Sequence, residues 1–441
     1  MFDLGSGLGA TSVAAWTGAL AETDLDTDPA AMVEEIRALE ELACAARARQ
    51  ARLAAAFDAA EQDRQAAAGT PAAQRGRGVA EQVALARRES PHRGRLHLSL
   101  ARVLPELPHT AEAFRRGLVT EWRVMQIARE TACLGREERT TIDRAVAGDP
   151  EAFAAYADRT VLAEVRKLVA RLDPAAVAER RRRAESERCV TIRPAPDTMV
   201  YLTALLPVAQ GVAAYAALAA EADRARAGGD PRGRGQVMAD TLVARVTGAG
   251  AGSDGRPVIP ISLGMVMTDR AVFAGAHDDA ALDDYGPIPA DLARALLSGA
   301  LDQQTRTWVR RLYRHPETGE LVAMDSRSRR FPRRLAVFLR HRDQWCRTPW
   351  CGAPIRHSDH AIRATDGGPT DTDDGQGLCE SCNYAKEADG WHHQPRPGPD
   401  GHTIEITTPT GQRYESRPPP LLGPAQAAFH QVEPGRWTRI A

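Results

Sequence analysis

"SDHAIRATDGGPTDTDDGQGLCESCNYAKEADGW", residues 358–391, gathers two cysteines, a histidine, an asparagine and eight carboxylates into thirty-four positions. Asp359 and His360 read as a strand, followed by a turn-rich loop and a return toward Cys379. From Cys379 the spacing predicts a helix with Asn383 in its first turn. A carboxylate, an imidazole and a helix-borne amide therefore converge on one small node. What holds that node is decided just upstream.

Cys346 and Cys351 are spaced C-x4-C, and Cys379 and Cys382 are spaced C-x2-C. Each pair bounds a short loop able to bring two thiolates to one ion, and two such knuckles complete a tetrahedral all-sulfur site. Soft sulfur ligands select zinc or an iron–sulfur centre, and Zn²⁺ is the commoner structural choice. Cys44, Cys133 and Cys189 stand alone in apolar or helical surroundings and read as core fillers.

A closed four-cysteine site is structural, so any chemistry must come from the residues between the knuckles. Asp359 and Asn383 offer oxygen ligands to a hard divalent cation, Mg²⁺ or Mn²⁺, with open positions for phosphate. His360, not bound to that cation, can take a proton from water. This is the layout of a ββα-metal nuclease site. A purely structural zinc module accounts for the cysteines equally well but leaves Asp359, His360 and Asn383 as coincidence.

Upstream of the knuckles, residues 301–350 carry twelve arginines against five carboxylates, a local balance of +7. In a chain whose net charge is −1, nucleic-acid affinity must come from such a patch. Arg327, Arg329, Arg330, Arg333 and Arg334 lie directly ahead of the site, placed to contact the phosphates of DNA, most simply a duplex. Arg180 to Arg183 are flanked by Glu179, Glu185 and Glu187 and read as a solvated helix face.

The rest of the chain is predicted to be mainly α-helical. Aromatics are only 5% and alanine is abundant, which favours helices over β-sandwiches. Residues 1–28 read as a flexible arm, and Asp28-Pro29 as the start of a long amphipathic helix. "AEAFRRGLVTEWRVMQIARETA" reads as two short helices joined at Gly117, with Thr120 capping the second. "TVLAEVRKLVARL" puts Val161, Val165, Leu168 and Leu172 on one face. "CVTIRPAPDTMVYLTALLP" reads as a hairpin. Residues 29–250 thus form a helical domain, 251–335 a strand/helix extension and basic connector, and 336–395 the cysteine-bearing domain. Residues 396–441 are expected to hold a β-hairpin, read from "HTIEITTPTGQRYES", and a proline-rich tail. No run of eighteen apolar residues is present, so no membrane span is expected. An N-terminus without a basic region, together with clustered cysteines, points to a reducing cytoplasm.

The motifs "CRTPWC", "DHAIRATDGGPT" and "GQGLCESCNYAKEADGW" together resemble the HNH endonuclease domain in its zinc-ribbon-supported form. The preceding four-fifths resembles the helical domain of unknown function that precedes HNH nucleases in many actinobacterial proteins, sometimes called the thirteen-E-twelve repeat family. It does so through "GVAEQVALARRESPHRGRLHLSLARVLPELPHTAEAFRRG", "LDPAAVAERRRRAESERCVTIRPAPDTMVYLTALLP" and "YGPIPADLARAL". The resemblance implies a metal-dependent DNA endonuclease. His360 matches its general base, Asp359 the adjacent metal ligand, and Asn383 the last ligand of the motif. Lys386 falls one helical turn on, where it could face phosphate, and His357 reads as a bystander. One position departs: Asp374 stands where the motif has its middle asparagine. An ionised carboxylate accepts hydrogen bonds but donates none, so Asp374 weakens the loop tie and its charge could raise the pKa of His360. That departure keeps open a slow nuclease, or a non-catalytic DNA-binding protein built on a zinc scaffold. A helical protein-interaction domain with a vestigial tail is the third reading.

Overall fold

Asp28 starts the longest element as expected: its Oδ1 accepts the Ala30 N–H at 3.2 Å, and the helix runs Pro29–Ala67. The computed structural model describes residues 9–25, 27–248, 264–268, 271–272, 277–282, 285–302, 325–326, 331–398, 401–419, 429–433 and 436–439. The protein is mainly α, with a few small sheets. It divides into two compact units, residues 1–60 with 97–177 and residues 61–96 with 178–441. Among the described residues no helix is long and apolar enough to cross a membrane.

In the first unit, Pro108–Arg115 and Glu121–Glu130 are the two helices expected around Gly117. Thr120 caps the second by accepting from Arg123 N. Gly117 has φ +76°, and a Cβ there would lie 2.4 Å from the Glu41 carbonyl oxygen. A side chain at this corner would therefore push it off the long helix. Asp158–Leu172 buries Val161, Val165 and Val169, so its buried stripe follows a strict step of four and leaves Leu172 exposed. The segment read as an arm holds a helix, Ala10–Glu22, none of whose residues is buried. Its alanines and leucine favour helix without needing a core.

The second unit holds the expected hairpin, Cys189–Ala195 paired with Met199–Leu205. Cys189 is exposed there rather than packed in a core, because a two-stranded sheet has little to bury it. Cys44 is buried, and Cys133 is partly so. Arg180 to Arg183 sit on the helix Pro174–Ser186, with Arg182 paired to Glu179.

Further along, the helix Arg333–Asp343 precedes strand His357–His360, which pairs antiparallel with Gly375–Leu378. The helix Glu380–Lys386 follows. The sheet of His392–Gly398, Gly401–Thr407 and Arg413–Ser416 has one strand more than the sequence suggested. The core of this region is completed from far upstream. Leu85, on helix Val79–Arg87, clusters with Ala361, Ala388, Trp391, Ile404 and Ile406. Thr410 donates to Gln82 Oε1 at 2.7 Å, and Ser381 to Glu81 Oε1 at 3.3 Å. Residues 61–96, expected to belong with the helical domain, are therefore grouped with the cysteine-bearing region.

A buried charge cluster locks the helix to the strands. Asp343 pairs with Arg342 at 2.7 Å and Arg347 at 3.0 Å and accepts the Gly377 N–H at 2.7 Å. Burial alone would raise its pKa, but the two guanidinium groups hold it below the ordinary value. Arg342 also donates to the carbonyls of Thr372 and Gly375, and Arg347 to those of His402 and Ser416. Two of the twelve arginines counted toward a phosphate-binding patch are thus internal struts, 4% and 2% exposed.

Candidate metal centre and adjoining site

The first knuckle closes because the chain turns sharply after Cys346. Trp350 and Gly352 both take left-handed backbone, φ 59° and 60°, and the Cys346 N–H donates to the Ala353 carbonyl at 2.9 Å. The second knuckle is a helix start, with Cys379 at the N-cap and its sulfur 3.4 Å from the Cys382 N–H. The four sulfur atoms lie within 4.8 Å of one another. Cys351 Sγ is 3.7 Å from both Cys379 Sγ and Cys382 Sγ. A tetrahedron with metal–sulfur bonds of about 2.3 Å has edges of about 3.8 Å. The spacing therefore suits a metal such as zinc. Among the described residues this is the one grouping of three or more His, Cys, Asp or Glu side chains that could hold a metal.

Directly behind the knuckles, the strand register sets Asp359 opposite Gln376 and His360 opposite Gly375. A Cβ on Gly375 would lie 2.9 Å from the Leu339 methyls and 2.7 Å from the Asp371 carbonyl, so only glycine lets this strand lie against the helix Arg333–Asp343. His360 is buried. Its Nε2 lies 2.8 Å from Thr370 Oγ1, and the Phe331 ring lies tilted against it at 4.6 Å between centroids. Asp359 is raised from its ordinary pKa by burial, opposed by Lys386.

Lys386 does not face outward. It is 2% exposed, and its Nζ donates to the His360 carbonyl at 2.9 Å. The same ammonium lies 3.2 Å from Asp359 Oδ2 and 3.1 Å from Glu387 Oε1. The sequence placed it where it could face phosphate; here its ammonium instead ties the helix to the strand. Asn383 is three residues earlier and shares that helix face. Its Oδ1 is buried with no hydrogen-bond partner, a costly state for an amide oxygen unless something else occupies it.

Asp374 holds the loop by accepting. Its Oδ1 takes the Ile362 N–H at 2.8 Å and its carbonyl the Ala361 N–H at 2.7 Å. Oδ2 is buried without a partner, and burial pushes the carboxyl up to about 6. The sequence expectation is that an aspartate, which donates no hydrogen bond, weakens the loop tie; here it ties the loop through accepted bonds alone.

Sequence reasoning missed three side chains. Gln376 Nε2 lies 3.2 Å from Asp359 Oδ2, and His393 Nδ1 lies 3.1 Å from Gln376 Oε1. Thr370 is the third. Gln376 and Thr370 lie inside the motifs "GQGLC" and "GGPT", but nothing in their residue type announces a role. His393 carries no signal, because the strand that brings it in is not legible from the sequence. His357 pairs with Leu378 in the sheet and its ring lies 6.4 Å from the Tyr384 ring, between centroids. Of the arginines ahead of the site, Arg333 and Arg334 are exposed on the first turn of their helix. Arg327, Arg329 and Arg330 lie outside the described residues.

The profile of a family described as "domain of unknown function (DUF222)" matches residues 36–343. No curated protein and no solved structure matches the chain.

Proposed function

From the premise that the chain belongs to the DUF222 family, whose matched region ends where the cysteine knuckles begin, we propose that the module beyond it is an HNH endonuclease site. Its reaction is metal-dependent hydrolysis of DNA phosphodiester bonds. The observation that carries the reading is the buried Asn383 oxygen left without a partner, on the helix whose Lys386 reaches Asp359. An amide oxygen beside a carboxylate is a donor set suited to Mg²⁺ or Mn²⁺.

Asp359 and Asn383 would hold that cation, which when bound neutralises charge on the scissile phosphate and the leaving oxygen. His360 accepts the proton of the attacking water, with Thr370 and Phe331 fixing its ring. Lys386 pins the His360 carbonyl and so the strand. The zinc cluster fixes the start of the helix that carries Asn383. Arg333 and Arg334 bind phosphates of the DNA backbone. A cytoplasmic setting suits the free thiolates such a site needs.

A second reading, a non-catalytic DNA-binding scaffold, is favoured by Lys386 lying against Asp359 Oδ2, where it competes with a cation. Plasmid nicking in Mg²⁺ or Mn²⁺ separates the two. His360→Ala should keep zinc and DNA affinity yet lower cleavage by roughly 10²–10⁴-fold, the usual worth of positioned proton transfer. Equal cleavage by parent and variant, with contaminating nucleases excluded, sinks the nuclease.

A further inference from the structure

Gln376 is 0% exposed and His393 7%, yet neither takes part in the proton transfer or holds the cation. Their hydrogen bonds define their orientation without ambiguity. One end of the Gln376 amide faces two acceptors, Asp359 Oδ2 at 3.2 Å and the His360 carbonyl at 3.5 Å. Only the NH₂ end can sit there, because the amide oxygen would meet both with like partial charge. The oxygen end must then face His393 Nδ1 at 3.1 Å, and that nitrogen must carry a proton. The chain of donors therefore runs one way, from His393 to Gln376 to Asp359. Burial holds the His393 imidazole down at about 3, so near neutral pH the ring is neutral and its one proton is the Nδ1–H.

We infer that Gln376, locked in one amide orientation by His393, is the positioning residue that aims the Asp359 carboxylate at the catalytic cation. The inference rests on the nuclease reading of Asp359. Lys386 reaches the same Oδ2 from the helix, so the carboxylate is gripped on one oxygen by an ammonium and an amide. Both contacts are to Oδ2, and among the described residues no hydrogen bond is seen to Oδ1. Without His393 the buried Gln376 oxygen loses its donor, and the side chain can swing away from Asp359 to find another, taking its N–H from Oδ2. Partners of this kind, one bond removed from the metal, typically change metal affinity by about 10–100-fold when removed.

The test is Mn²⁺ binding to the zinc-loaded full chain, read from the electron paramagnetic resonance of free Mn²⁺ and so independent of cleavage. His393→Phe keeps a planar apolar filler but no donor, and should weaken Mn²⁺ about tenfold with zinc content unchanged. His393→Asn restores an amide N–H where Nδ1–H stood, and should bind within about twofold of the parent. Gln376→Met should weaken binding at least as much as His393→Phe; if it loses zinc, the His393 pair decides alone. Parent-like binding by His393→Phe, or equal loss in His393→Phe and His393→Asn, overturns the inference. Asp359→Ala separates the two levels. If it abolishes Mn²⁺ binding while the His393 variants bind normally, only the positioning role falls. If Asp359→Ala binds as the parent does, the cation site itself is wrong and the inference falls with it.

Discussion

Asp374→Asn turns the unpartnered Oδ2 into a measurable quantity. Burial lifts the Asp374 carboxyl from its ordinary 3.8 to about 6, so the folded protein binds this proton more tightly than the unfolded chain. The sign is the reverse of a salt-bridged aspartate. The stabilising contribution is complete below about pH 3.8 and is lost as pH rises through about 6. At about 1.4 kcal/mol for each tenfold change, the whole interval is worth about 3 kcal/mol against the native state at pH 8. By pH 5 roughly half of that penalty remains, about 1.5 kcal/mol. Asparagine is neutral throughout and keeps the acceptor for the Ile362 N–H. Burying its NH₂ costs a constant amount, on the order of 1 kcal/mol, which cancels between the two conditions. The stability of the asparagine variant relative to the parent should therefore improve by about 1.5 kcal/mol between pH 5 and pH 8. Urea titrations with saturating zinc, followed by fluorescence of the buried Trp391, measure that difference. Thiolate protonation affects both chains and drops out. A difference between variants that does not change with pH, or that shrinks toward pH 8, refutes the account of Asp374 as a buried, uncompensated carboxylate.

The same substitution should raise cleavage if the aspartate also impairs the loop or His360, which plasmid nicking by the Asp374→Asn chain reads directly. Purified protein should carry about one zinc per chain, and Cys346→Ser or Cys379→Ser should strip it while most helical circular dichroism survives; full zinc content after either change removes the four-cysteine assignment. Neutralising Arg333 and Arg334 together should flatten the slope of log DNA affinity against log salt by about two, near 0.9 for each phosphate that then keeps its counterion, and an unchanged slope takes them out of the DNA interface. Asp343→Asn should destabilise the second unit by about 3–5 kcal/mol in urea, because it leaves Arg342 and Arg347 buried without their counter-charge; a loss below about 1 kcal/mol would mean those guanidinium groups find water.

The sequence was legible wherever the signal was local. Asp28, Thr120 and the Pro196-Asp197 turn act through neighbours within a few residues, and each begins or closes the element expected of it. The cysteine spacings were equally plain, since C-x4-C and C-x2-C state their own geometry. Illegible features came from distance along the chain. Nothing near Lys386 indicates that its ammonium turns inward to Asp359 and the His360 carbonyl, since a helix lysine beside Glu387 and Asp389 looks solvated. The arginine surplus was misread for a related reason: charge counts cannot distinguish Arg334 on the surface from Arg347, whose partners His402 and Ser416 lie more than fifty residues on. Leu85 is the extreme case. Its periodicity marks a helix face, while its neighbours Trp391 and Ile404 are about three hundred positions away.

The position of Asp343 has a bearing on how such a chain can be inherited. It is the last residue of the family match, yet it anchors charges from both sides of that boundary, Arg342 before it and Arg347 after it. Recombination at the end of the matched region would pair an aspartate from one parent with an arginine and a strand backbone from another. The packing of Leu85 adds a second link, about 260 positions upstream. Removing one such buried leucine costs about 2–5 kcal/mol, a large fraction of what holds a domain together. The cysteine-bearing region is thus packed against residues 79–87 and charge-paired to the helix Arg333–Asp343, so a change at either contact is felt on both sides of the boundary.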